Sequence, residues 1–181
     1  MNFFFFSIFL LINLSSNAMN LIDERMNKSQ DFFEDWEYIS DQVMGGVSIG
    51  KVEILNDNKI FLRLSGDVST KNNGGFIQVR KKLALNDKSF TGIKMKVRGN
   101  SENYFVHVRT SKLIFPWQFY SAKFMAGRSW SEIIINFNEF SKSNFYQPAS
   151  FSPIDIESIA FVAFGKDFNA RLEIEEAKLF R

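Results

Sequence analysis

The sequence predicts an all-β fold, a single antiparallel sandwich, on three observations. After the first 18 residues the chain is a series of short apolar runs separated by turn residues. Several runs alternate apolar and polar side chains with the period of two expected of half-buried strands. No long amphipathic helix follows the N-terminal apolar run, and no internal repeat or domain linker interrupts the pattern.

Taken in order, Phe3 to Leu14 is apolar except for Ser7 and Asn13, and Ser16-Asn17-Ala18 places small residues at the two cleavage positions of a secretory signal peptide, although no basic residue precedes the run. The run is too short to span a membrane. Residues 1–18 therefore read as a cleaved leader, the mature chain as starting at Met19, and its destination as periplasmic or secreted. Residues 19–31 are a lead-in, polar from Asn20 to Gln30, either loose or a short edge segment. The sandwich occupies residues 32–181.

Within it, strands are predicted at Ile60 to Leu64, Phe76 to Arg80, Ile93 to Arg98, Tyr104 to Arg109, Phe119 to Phe124, Ser131 to Phe137, Ile159 to Phe164 and around Leu172 to Ile174. In Ile93-Lys94-Met95-Lys96-Val97-Arg98 the apolar side chains take one face and the cations the other. Asn56-Asp57-Asn58, Asn72-Asn73-Gly74-Gly75, Gly99-Asn100 and Ala126-Gly127 supply turn residues that tolerate positive φ. One helical turn is predicted from Ser152, as a capping hydroxyl ahead of Pro153 and Asp155.

Composition removes several functions. With 22 basic against 20 acidic residues, scattered along the chain, the net charge of +2 implies neither nucleic acid nor an anionic membrane as partner. The absence of cysteine excludes disulfides, thiol nucleophiles, thiolate metal sites and a lipidated-cysteine anchor. One histidine and no cysteine argue against a transition metal. No cofactor is expected; a calcium ion held by carboxylates and carbonyls has no spacing to test in a loop-rich sandwich. No G-x-S-x-G element occurs and no acid adjoins His107 in its strand, so an enzyme is not expected.

Two segments are more specific: Trp36-Glu37-Tyr38-Ile39-Ser40-Asp41-Gln42-Val43-Met44-Gly45-Gly46-Val47-Ser48, and Asn73-Gly74-Gly75-Phe76-Ile77-Gln78-Val79-Arg80. Together they resemble the complex I intermediate-associated protein family, with its tryptophan, aspartate, Val-Met-Gly-Gly, serine signature and its Gly-Gly-Phe strand ending in arginine. Val97-Arg98-Gly99 with Tyr104, Trp130 with Ile133 to Phe137 and Phe140, and Phe168 with Leu172-Glu173-Ile174 extend the similarity over most of the mature chain. The chain departs at Asn100-Ser101-Glu102, where the family has an Asp-Gly-Arg-like turn, and at Phe151-Ser152-Pro153, where a proline-rich stretch is reduced. The resemblance implies a galactose-binding-like jelly roll. For mitochondrial members it implies a non-catalytic role in assembling the membrane part of respiratory complex I. The expected function is accordingly a non-catalytic, assembly or chaperone-like module for a protein partner, with a respiratory-complex component met from its outward face among the candidates. The alternative is a carbohydrate-binding module, and a hydrolase comes third.

The candidate site residues fall into two groups. In the signature loop, Gly45 and Gly46, with Gly74 and Gly75, read as tight corners, or as bare amides that receive a ligand. Asp41 turns its carboxylate onto loop amides or presents it to a cation or a sugar hydroxyl. Ser48 closes the signature, and Met44 fills the core or touches a partner. On the strands, alternation sets Gln78 and Arg80 opposite Ile77 and Val79, and His107 and Arg109 opposite Val106 and Val108. With the valines inward, the four polar residues form an accessible face for a partner or ligand. In Leu113 to Tyr120, Phe115 and Trp117 are either a rim platform or buried beneath the rim.

Overall fold

The computed structural model describes residues 18–23 and 35–181. The leader over residues 1–17 and the lead-in from residue 24 to 31 lie outside the described residues. Among the described residues, twelve strands form two antiparallel sheets packed face to face. They are β1 (Met19–Ile22), β2 (Trp36–Ser40), β3 (Ile49–Asp57), β4 (Lys59–Val68), β5 (Phe76–Lys82), β6 (Gly92–Gly99), β7 (Glu102–Thr110), β8 (Tyr120–Ala126), β9 (Ser131–Asn136), β10 (Ser141–Lys142), β11 (Ile156–Phe164) and β12 (Phe168–Phe180). The back sheet runs β3-β4-β12-β6-β9, and the front sheet β10-β8-β7-β11-β5-β2.

The eight predicted strands are all present. The sequence reading missed β2, β3 and β10 and left β1 open as a loose or short edge segment. β1 pairs with the far end of β12, Met19 opposite Leu179, and buries Leu21 and Ile22, so this part of the lead-in is an edge segment. Asn58 carries φ 63° at the β3–β4 hairpin, as its turn chemistry predicts. The Asn72 to Gly75 stretch is a corner between sheets, with positive φ at Asn72, Asn73 and Gly75. The turn at Pro153–Asp155 is a 3₁₀ turn, but the Ser152 side chain makes no capping bond; the Asp155 amide donates to the Ser152 carbonyl instead.

Alternation decides which side chains fill the core. Val79, Phe161, Val106 and Ala122 sit opposite one another across β5, β11, β7 and β8 and face Leu62, Leu64, Met95, Val97, Leu172 and Ile174 of the back sheet. Tyr104 is fully buried yet satisfied, since its hydroxyl donates to Asn100 Oδ1 (2.6 Å) and accepts from the Arg171 amide (2.7 Å). This bond ties the β6–β7 corner to β12 across the core.

The outer face of the back sheet holds an ionic cluster. Glu53, Arg63, Glu173 and Arg98 form one cross-strand row. The Glu173 side chain has no exposed surface. It accepts from Arg63 (2.6 Å), from Arg171 (3.1 Å) and from Arg98, whose guanidinium lies 4.6 Å from the Trp130 ring centre. A carboxylate on the solvent side of a sheet is thus sealed by the long side chains around it.

Candidate functional site

The concave side of the front sheet forms a groove of about 910 Å³. Its floor is ordered by register. Glu37, Arg80, Ala160 and His107 make one row across β2, β5, β11 and β7, and Ile39, Gln78, Val162 and Phe105 make the next. Arg109 lies opposite Ser158. The central strand therefore contributes small residues, Ser158 and Ala160, where the flanking strands contribute Arg80, His107 and Arg109. One lip carries Val43 and Met44, and the opposite lip Pro116 and Trp117.

The first lip is held by Asp41. Buried at the head of a 3₁₀ turn (Asp41–Met44), its carboxylate accepts from the Ser48 amide (2.9 Å), the Ser48 hydroxyl (2.5 Å), the Gly75 amide (2.6 Å) and the Phe76 amide (3.3 Å). A Cβ on Gly46 would stand 2.3 Å from Asp41 Cγ, and one on Gly74 2.4 Å from Asp41 Oδ2, so those glycines exist to let two loops close on the carboxylate. Of the two roles considered for Asp41, the structure displays the loop-organising one. Burial by itself raises the Asp41 carboxyl, but the bonds from Ser48, Gly75 and Phe76 outweigh it and hold the group below the usual carboxylate range. Met44, expected to fill the core, is instead 61% exposed beside Val43 at 75%, because the 3₁₀ turn points its tip away from the sheets.

The second lip is held by Arg109. Its Nη1 donates to the carbonyl oxygens of Phe115 (3.1 Å), Pro116 (2.6 Å) and Gln118 (2.5 Å). Buried Gln118 accepts from the amides of Ile114 and Phe115, both at 2.9 Å. Trp117 stacks flat on Phe115, centroids 4.8 Å apart, and is 61% exposed, so the rim reading applies to this pair.

His107 corrects the expectation of a solvated residue. It is 8% exposed, lies parallel to the Phe119 ring at 4.0 Å and meets the edge of Phe164 at 5.5 Å. Desolvation lowers its pKa to about 3, so it is neutral at ordinary pH. Arg109 is likewise not a free donor, since one arm is committed to the loop. The groove brings together Gln78, Arg80, His107, Arg109, Trp117 and Met44, along with Gly74, while Ser48 and Gly75 stay beneath the lip. The sequence reading missed Glu37, Gln118, Phe119, Ser158, Ala160 and Phe164. The small outward residues of β11 were a usable signal, because Ser158 and Ala160 alternate with Ile159 and Phe161; nothing marks Gln118.

Among the described residues, no group of three or more His, Asp or Glu side chains is placed to hold a metal ion, and no helix is long and apolar enough to cross a membrane.

The family model for Complex I intermediate-associated protein 30 (CIA30) matches residues 26–174. The chain belongs to the CIA30 family. Its Asp41 hub, Gly46 and Gly74 lie inside the matched region, which covers both sheets except β1 and the end of β12. No curated protein sequence matches this CIA30 chain. Solved structures show its fold to be that of carbohydrate-binding modules. The family 11 carbohydrate-binding module of the cellulosomal cellulase Lic26A-Cel5E of Clostridium thermocellum aligns with TM-score 0.69 at 17% identity, over 92% of this chain and 95% of that one. The family 11 module from the same organism in complex with a β-1,3-1,4-mixed-linked tetrasaccharide aligns with TM-score 0.63 at 16% identity, over 81% and 88%. A family 30 carbohydrate-binding module aligns with TM-score 0.52 at 11% identity, over 81% and 77%. These likenesses establish the antiparallel β-sandwich and leave the ligand to the chemistry of the groove.

Proposed function

We propose that this CIA30 domain is a non-catalytic recognition module that works outside the cytoplasm and receives a protein partner on the concave face of its front sheet. One observation carries the reading: two rigidly held lips present Val43 and Met44 on one side and Trp117 on the other, all largely exposed. Exposed methionine and valine suit the apolar side chains of a protein better than the hydroxyls of a sugar. The family makes a subunit of a membrane respiratory complex the first class of partner to test. Non-catalysis is supported by the neutral, aromatic-walled His107, which has no carboxylate to orient it as a base. Action outside the cytoplasm rests on the leader-like sequence of residues 1–18, whose cleavage after Ala18 would leave β1 whole.

A second reading, carbohydrate binding, is favoured by the exposed Phe115–Trp117 stack. The two separate on Trp117→Ala and on Met44→Ser. Each variant keeps its melting temperature, since exposed substitutions shift stability by about 0.5 kcal/mol or less. Chemical cross-linking in the envelope fraction yields a defined partner with the native chain, and both variants lose about tenfold or more in affinity for it, as expected of an anchor residue. Binding of mixed-linked glucans that depends on Trp117 but is indifferent to Met44 would establish the carbohydrate reading instead. Mass spectrometry of the exported protein is expected to give Met19 as the first residue; an unprocessed chain recovered from the cytoplasm would remove the extracytoplasmic part of the proposal.

A further inference from the structure

We infer that the groove seats a carboxylate, carried by an acidic residue within an otherwise apolar segment of the partner chain, between Arg80 and Arg109 and above Ala160. The inference rests on the protein-recognition reading and gives that partner its chemistry. Neighbouring strands lie about 4.8 Å apart, so β5 and β7 stand about 10 Å from each other with β11 between them. At that point β11 offers only Ser158 and Ala160, and two guanidiniums overhang a floor with no bulk.

The cations feel one another. Burial first, and Arg80 second, push Arg109 below the ordinary arginine range, with Glu157 pulling the other way. Arg80 has one arm on Glu37 (2.7 Å), at the outer edge of β2, whereas Arg109 makes no salt bridge to any described residue. Two positive charges close enough to repel in a partly desolvated groove gain from an added anion. A second observation is independent of charge: Arg80 Nε and His107 Nε2 are both shut from solvent without a hydrogen-bond partner, on either side of Ala160. Buried polar atoms of this kind ordinarily find partners, so the row is incomplete in the free chain. Neutral hydroxyls would satisfy hydrogen bonds but bring no charge to the two guanidiniums, of which only Arg80 is ion-paired. A carboxylate does both and matches the fork of an arginine. The apolar lips at Met44 and Trp117 then ask for apolar residues on either side of the acid.

The test uses the full mature chain and a blocked nonapeptide with one glutamate flanked by leucine and valine, beside its glutamine counterpart. The glutamate peptide should bind about tenfold or more tightly than the glutamine peptide, the size expected for a charge-assisted contact. Arg80→Gln should erase that difference, and Trp117→Ala should weaken both peptides alike. Sodium acetate, compared with sodium chloride at equal ionic strength, should selectively shift the NMR amide signals of Arg80, His107 and Arg109. Equal affinity of the two peptides would overturn the carboxylate seat while leaving the protein-recognition reading in place. An Arg80-dependent affinity for oligogalacturonate, with neither peptide bound, would sink the acidic-segment proposal and the protein reading together.

Discussion

Asp41→Ala is expected to lower stability by about 3–5 kcal/mol. The substitution strips four donors of their acceptor at once, the amides of Ser48, Gly75 and Phe76 and the Ser48 hydroxyl. Each buried donor left unpaired costs about 1–3 kcal/mol, with some recovered by water entering the loop. For a chain of this size each kcal/mol moves the melting temperature by about 2–4 °C, so a drop of about 10 °C is expected by calorimetry. The pH dependence has a definite sign. Because the folded carboxyl titrates below its unfolded value of about 3.9, its contribution is complete above that pH and disappears as pH falls through the lower folded value. The native protein should therefore lose stability faster than the alanine variant as pH drops below about 4. A melting temperature unchanged by the substitution would mean that the two loops are held by something other than this carboxylate.

Glu173→Ala is expected to cost about as much, by a different route. The carboxylate is fully enclosed and holds Arg63, Arg98 and Arg171, so its removal leaves cations facing one another on the sheet. Breaking a buried pair from one side typically costs about 3–5 kcal/mol. Burial alone would raise the Glu173 carboxyl, and the bonds from the arginines reverse this and hold it below the usual range. The loss in the alanine variant should shrink in high salt, which screens the exposed part of the arginine repulsion. A loss that ignores salt would assign the effect to packing under Trp130 rather than to charge.

These two carboxylates also mark how far sequence reasoning reaches. Alternation in Leu172-Glu173-Ile174 turns Glu173 away from the core, but it cannot say that arginines from β4 and β6 close over it, because those are brought alongside by register. His107 fails for the same reason. Its side of β7 was legible, whereas the rings that bury it come from Phe119 and Phe164, distant in sequence. The role of Arg109 was hidden more deeply, since its acceptors are main-chain carbonyls, which every residue possesses. β3 was passed over because, as an edge strand, Val52 and Ile54 are only half buried and its apolar pattern is correspondingly weak. What the sequence did expose was the outward side of Arg80 and His107 on their strands, which depends on local alternation, and the loop-directed option for Asp41, whereas the reach of its carboxylate to Gly75 and Phe76 in a second loop is tertiary.

The position of β12 bears on how the chain reaches its native state. Residues 168–180 follow every other described strand along the chain, yet they lie between β4 and β6 and also receive β1. A nascent chain that stops at Gly165 has the β3–β4 hairpin and the β6–β9 pair with nothing to join them, and its front sheet has no finished layer to pack on. Formation of the sandwich is thus a late, long-range event, of the kind that proceeds slowly because distant segments must meet before any contact repays the lost entropy. Until then the unpaired edges of β4 and β6 are open to other chains, and the interval between synthesis and closure is when aggregation competes with folding.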